Sequence, residues 1–176
     1  ARCHMLELDV GETDAPGRLR YYIEKNFEMI HGIVNNAYSG IVGNVDAIVG
    51  SDFITACNYN MINPFLIFKE LKPLLATTAV ACKGSVSVVN IASMYGIVSP
   101  DPSIYSDSGK NNPIHYGASK AGMIQMSKYL ACHYGSENIR VNSISPGAFP
   151  NTDIDSGIPR FIENLESKIP LHRVGE

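Results

Sequence analysis

Apolar positions along the 176-residue chain fall into two alternating patterns. Short apolar or β-branched runs of strand length occur at Cys3–Val10, Ile30–Val34, Gly84–Ile91 and Ile139–Ile144. Between them lie longer stretches with an apolar residue every third or fourth position. Arg18–Met29 has Leu19, Tyr22, Ile23 and Phe27 at helical spacing, with Pro16 suited to the helix start. Ile54–Leu75 predicts a long, bent helix interrupted at Pro64 and closed near Pro73. Tyr116–Tyr134 carries Met123, Met126, Leu130 and Tyr134 on one stripe, and Ile158–Lys168 is weakly helical. Strand-helix alternation of this kind predicts an α/β fold, a parallel sheet covered by helices on both faces.

The connections differ in character. Ile41–Val49 is punctuated by glycine, and Ala148–Gly157 reads as loop. Val98–His115 contains Pro100, Pro102 and Pro113 among Asp, Asn and Gly residues, which predicts an irregular segment long enough to be a lid or binding loop. No internal repeat or composition break divides the chain, so residues 1–176 read as one domain.

Composition narrows the classes of function. A 45% hydrophobic and 18% charged content suits one globular domain with a core. No apolar run approaches the roughly 20 residues that span a bilayer, and no signal pattern opens the sequence, so a cytoplasmic protein without a membrane partner is expected. A net charge of -3, without a basic block or tryptophan, gives nucleic acid little foothold. Cys3, Cys57, Cys82 and Cys132 form no Cys-x-x-Cys pair, and three sit in apolar segments, which predicts buried thiols ahead of zinc or disulfides. The five histidines share no metal spacing, and no metal site is expected. His115, beside Tyr116, is a candidate for lining a cleft.

Candidate chemistry centres on Tyr116-Gly117-Ala118-Ser119-Lys120. Residues four apart share a helix face, so the Tyr116 phenol and the Lys120 ammonium lie side by side. A nearby ammonium stabilises a phenolate and is expected to lower the phenol from its usual value of about 10, suiting it to acid/base work. Taken alone the pairing is weak, because a tyrosine at a helix start can simply pack. Three further polar signals stand at strand ends or on a helix: Asn35-Asn36-Ala37, Asn60 and Ser93. Singly, Ser93 reads as a turn former and Asn60 as a packing amide, with Asn63 as a nearby competitor.

As an ordered set, these residues resemble the short-chain dehydrogenase/reductase family. Val89-Asn90-Ile91-Ala92-Ser93 is similar to its strand running into the catalytic serine, and Arg140–Gly147 to its strand ending in Pro-Gly. The resemblance implies a Rossmann-like doubly wound sheet and an NAD or NADP cofactor. It implies that Tyr116 exchanges a proton with the substrate oxygen, that Lys120 also holds the nicotinamide ribose, that Ser93 orients the substrate and that Asn60 holds a relay water. It further implies that Asn36 and Ala37, Asp9 and Val10, and Pro146 and Gly147 contact the cofactor, the middle pair at the adenine and the last beside the nicotinamide. A homodimer or homotetramer through helices 54–75 and 116–134 is implied as well.

Two departures accompany it. Tyr38 follows Asn36-Ala37 where the family usually has glycine, and no glycine-rich pyrophosphate turn occurs. The chain is therefore expected to be an internal fragment lacking the first βαβ unit and the last strand, with Cys3–Val10 left without a neighbour to pair with.

Asp101, Asp107, Lys110, Asn111 and Asn112 in the long loop suit a polyol, which favours a sugar or sugar-phosphate substrate. Ser93-Met94-Tyr95-Gly96 through Pro100-Asp101-Pro102 to Tyr105 also resembles family members linked to surface-polysaccharide and flagellin-glycan synthesis, hence carbohydrate biosynthesis. Two other readings stand beside this one: a nucleotide-sugar epimerase or dehydratase of the extended branch, and a non-catalytic scaffold.

Overall fold

The computed structural model describes residues 3–39, 44–150, 158 and 160–175. Residues 40–43 of the glycine-punctuated stretch and 151–157 of the later loop lie outside the described residues. Three parallel strands, β1 (Gly32–Asn35), β2 (Val86–Ile91) and β3 (Ile139–Ile144), form a sheet in that order. Ile33, Val88 and Val141 stand in register across it, as do Asn35, Asn90 and Ser143. The helices are α1 (Ala15–Asn26), α2 (Gly50–Cys57), α3 (Asn63–Ala81), α4 (Ile114–Tyr134) and α5 (Phe161–Ser167). A parallel sheet whose strands are joined through helices is an incomplete Rossmann-like fold.

Strand alternation decides where the core sits. Val86, Val88, Ile139 and Val141 point to one face, where Phe68, Leu75 and Ala79 of α3 and Leu130 of α4 cover them. Arg140, Asn142 and Ile144 point to the other face and are exposed, as is Val34, 67% exposed on the edge strand. Cover on both faces was the expectation. Among the described residues the helical cover lies on one.

Cys3–Val10 is not a strand. It runs exposed and outside the sheet, because an extended segment without a neighbouring ladder has nothing to take up its backbone groups except water. The expected bent helix is real but differently built. α2 ends at Cys57, a π-helical turn spans Asn58–Ile62, and α3 then starts with Pro64 in its first turn. It passes through Pro73 and closes only at Ala81. A proline inside a helix costs about 3 kcal/mol, and here burial of Leu71, Leu75, Thr78 and Ala79 on either side of it opposes that cost.

The expected buried thiols are also corrected. Cys3, Cys82 and Cys132 are exposed and Cys57 is half-buried, all four free, because Cys82 caps α3 and Cys132 faces outward from α4. Leu75 is fully buried beneath the sheet. Leu75→Ala is expected to lower unfolding free energy by about 2–5 kcal/mol in urea titration, since the side chain leaves a cavity that rigid strands cannot close.

Candidate active site

The site forms at the C-terminal ends of the strands, where their polar terminal residues meet the start of α4. Asn35 donates to Asn90 Oδ1 at 2.7 Å, and Asn90 donates to Ser127 Oγ at 2.9 Å. This relay ties β1, β2 and α4 together beneath the site, with Asn90 and Ser127 both buried. Past β2, Ser93 caps a 3-10 turn over Met94–Gly96, its hydroxyl accepting from the Tyr95 amide at 3.2 Å. The turn lies flush on α4. A Cβ at Gly96 would come within 2.9 Å of the Ala121 amide nitrogen, and one at Gly117 within 2.9 Å of the Tyr95 carbonyl oxygen. Two glycines therefore let Ser93 and Tyr116 approach.

Tyr116 and Lys120 share the predicted helix face, but their electrostatics differ from expectation. Burial, the largest influence, raises the Tyr116 phenol above its ordinary value, and the nearby Tyr38 and Tyr95 add to the rise. A hydrogen bond with Ser93 opposes it. Lys120 is only 2% exposed and donates from Nζ to the Ile91 carbonyl at 2.6 Å. Its ammonium lies 5.7 Å from the Tyr116 ring centre and 6.0 Å from that of Tyr38. Burial lowers its pKa to about 8. The expected lowering of the phenol by Lys120 is thus corrected: desolvation dominates at both groups, raising the phenol and lowering the amine, so that their pKa values move apart.

Asn60 is fully buried in the π-helical turn. Its amide donates to the Ser39 carbonyl and to Ser119 Oγ, both at 2.9 Å, and its oxygen accepts from the Ser39 amide. Ser119 in turn donates to the Tyr116 carbonyl at 2.9 Å. Both amide protons are taken by protein, so this side chain positions the first turn of α4 against the loop after β1. Asn63 is buried one turn on, apart from this cluster of bonds.

The cofactor candidates fall into two groups. Asn36 and Ala37 are exposed directly after β1, and Pro146 and Gly147 follow β3, where the Pro146 carbonyl accepts from the Met94 amide at 3.1 Å beside Ser93. A Cβ at Gly147 would meet no protein atom within 4 Å, so that side of the turn is open. Tyr38 lies edge-on to Tyr116, ring centres 6.0 Å apart. Asp9 and Val10 stand apart in the extended segment. The Asp9 carboxylate accepts from the Gly11 amide at 2.7 Å and from the Tyr59 hydroxyl at 3.0 Å, which joins that segment to the turn carrying Asn60.

A cleft of about 290 Å³ opens over Ser93 and Tyr116. Lys110, Asn111 and Asn112 contribute polar groups to its lining, and Phe149, Phe161 and Leu165 apolar ones. The Val98–His115 segment forms a 3-10 turn at Pro102–Tyr105 and packs through Ile104 and Tyr105 onto Ile158, Phe161 and Leu165. Lys168 clamps it through Asp101 at 2.9 Å, and this contact, together with Ser103, holds the Asp101 carboxyl down at about 2. His115 turns inward against Phe53 and does not line the cleft.

A sequence model described as enoyl-(acyl carrier protein) reductase matches residues 1–176. A short-chain type dehydrogenase/reductase of Sinorhizobium fredii is 33% identical over 96% of the chain and 28% of its own length. The chain belongs to the short-chain dehydrogenase/reductase family. Among solved structures, the complex of Pseudomonas aeruginosa RhlG with NADP superposes with a TM-score of 0.84 at 27% identity, covering 97% of this chain and 64% of that one. A Leptospira borgpetersenii short-chain dehydrogenase with bound NAD+ gives 0.82 at 27% identity, covering 97% and 62%. The chain therefore spans less than two thirds of the length of these relatives. The family's short-chain branch, rather than its extended one, is where these matches lie.

Lys120 generates a pH effect on stability. Its folded pKa of about 8 lies below the ordinary lysine value of 10.5, so the folded protein binds fewer protons between those limits. Stability from this group is complete above the unfolded value and is lost as pH falls through about 8. Thermal melts of wild type and Lys120→Met are expected to diverge across pH 8 to 10.5, the wild type gaining stability relative to the variant as pH rises. Parallel curves would contradict it.

Proposed function

We infer that the protein is an NAD(P)-dependent oxidoreductase exchanging a hydride between a nicotinamide cofactor and an alcohol or carbonyl carbon, with Tyr116 as general acid and base. The observation that carries this reading is the Tyr116 phenol on the cleft wall, hydrogen-bonded to Ser93 and set above a buried Lys120. A bound nicotinamide would supply the hydride acceptor or donor. The protein's own groups handle the oxygen. Ser93 and Tyr116 both line the cleft, where a carbonyl oxygen placed between their hydroxyls would accept from both. A phenol held above its ordinary pKa stays protonated at neutral pH, so Tyr116 is ready to give its proton as negative charge builds on that oxygen.

The residues fit the ribose-nicotinamide half of a dinucleotide. Asn36 and Ala37 on one side, Pro146 and the open Gly147 on the other, frame Tyr116 and Lys120. Lys120 has ammonium protons beyond the one given to Ile91 with which to hold ribose hydroxyls. Asn60 acts through Ser39 and Ser119 to hold this arrangement. Asp9 and Val10 are assigned to the adenine end.

For the substrate, Lys110, Asn111 and Asn112 support a sugar or sugar phosphate, consistent with a role in carbohydrate biosynthesis. A second reading, a carbonyl carried on an apolar chain, is favoured by Phe149, Phe161 and Leu165 in the lining of the same cleft. We place the protein in the cytoplasm, and no helix among the described residues is long and apolar enough to cross a membrane. Self-association through α2–α3 and α4 is supported by exposed Ile54, Ile62, Phe65 and Tyr129 on those helices.

Tyr116→Phe is expected to lower hydride transfer by about 10²–10⁴-fold while cofactor binding, followed by nicotinamide fluorescence, persists. Unchanged turnover would refute the assignment. In a substrate screen the sugar reading requires amino- or deoxy-sugars to be turned over in preference to small aliphatic alcohols and to 3-oxoacyl thioesters. Preference for the thioester would favour the apolar reading instead.

A further inference from the structure

Three soft donor atoms meet at the edge of the sheet opposite the catalytic cleft. Met29 and His31 lie just before β1, and Cys82 caps α3 shortly before β2. Because β1 and β2 are parallel, both segments reach the same N-terminal edge, whereas Ser93 and Tyr116 stand beyond the C-terminal one. Cys82 Sγ lies 3.5 Å from His31 Nε2 and 4.0 Å from Met29 Sδ. All three side chains are exposed, and no part of the hydride-transfer reading uses them.

The spacing suits a shared ion. A metal bound at about 2.3 Å from each sulfur and about 2.0 Å from nitrogen, in a trigonal plane, sets sulfur and sulfur about 4.0 Å apart and sulfur and nitrogen about 3.7 Å apart. Cys82 Sγ stands close to those separations from both of the other donors, 4.0 Å from the thioether and 3.5 Å from the imidazole. Their backbones are also held. At the end of α3, Lys83 adopts a left-handed conformation (φ 48°), its amide bonding to the Val80 carbonyl at 3.2 Å and that of Gly84 to the Ala79 carbonyl at 3.3 Å. This closes the helix and sets the direction of Cys82. On the other side, the Ile30 amide donates to Thr78 Oγ1 at 3.3 Å, and the His31 carbonyl accepts from Ser87 at 3.1 Å.

Ligand chemistry selects the metal. Among the described residues no three His, Cys, Asp or Glu side chains come together, and it is the Met29 thioether that completes this set. Thiolate and thioether sulfur favour copper(I), whereas zinc sites draw on thiolate, imidazole and carboxylate. We propose that Met29, His31 and Cys82 form a three-coordinate copper(I) site. Binding exchanges the Cys82 thiol proton for the ion, which stays copper(I) throughout, and affinity therefore rises with pH.

The test is anaerobic titration of the purified protein with copper(I) against a bathocuproine sulfonate chelator, with no added thiol. One copper(I) per chain is expected in wild type and in Cys132→Ser. Cys82→Ser should lose that ion, and Met29→Leu and His31→Gln should each weaken binding by at least about tenfold. X-ray absorption should report two sulfurs and one nitrogen, and zinc(II) should not displace the copper. Circular dichroism of each variant verifies the fold, which these exposed side chains do not support. Affinity indifferent to Met29 and His31, or loss shared equally among Cys3, Cys82 and Cys132, would mean binding by surface thiols only and would overturn the proposal.

Discussion

A buried ammonium must find oxygen, and Lys120 finds the Ile91 carbonyl at 2.6 Å. That contact joins the end of β2 to the first turns of α4. With it come the neighbours that define the cleft: Ser93 two residues past Ile91, and Tyr116 one helical turn before Lys120. An amine left in an apolar interior without this partner would have to shed its proton or drag water inward. The site's geometry thus follows from satisfying one charge at the place where sheet and helix meet.

Around this contact the protein spends its polar side chains on position. Asn35, Asn90 and Ser127 bind strand to strand to helix, while Asn60 and Ser119 lock the start of α4 to the loop after β1. Each bond is buried or half-buried, where removing one partner strands the other and costs about 1–3 kcal/mol. Gly96 and Gly117 act differently, by subtraction, letting backbones touch where any side chain would force them apart. The π-helical turn that carries Asn60 belongs with these devices: one extra residue per turn re-aims the amide into the interior.

Desolvation also sets the chemistry. The same burial that raises the Tyr116 phenol lowers the Lys120 amine, because each loses water around its charged form. Proximity of an ammonium to a phenol does not by itself make a phenolate. Burial decides the balance: Lys120 directs its bond to a backbone carbonyl, and the Ser93 hydrogen bond offsets only part of the rise in the phenol.

Much of this architecture was legible in the chain, for local reasons. A strand such as Ile139–Ile144 or a helix such as Tyr116–Tyr134 declares itself through a periodicity that needs no distant partner, and residues four apart on a helix share a face wherever that helix lies. Ser93 and Asn60 stood out only through the family resemblance, since singly they read as a turn former and a packing amide. What depended on a neighbour was not legible. Cys3–Val10 has the apolar content of a strand and no ladder to join, Pro73 looks like a helix stop until the packing around it is counted, and thiols in apolar runs prove exposed once the helices turn. Asn60 bonds to Ser119 across 59 positions, and Cys82 reaches His31 across 51, distances over which no periodicity carries information. The sequence by itself determined the candidate residues and on which elements they ride; the tertiary structure alone decided which of them touch water, which meet each other and how burial shifts their protons, because burial and long-range contact are properties of the packed chain.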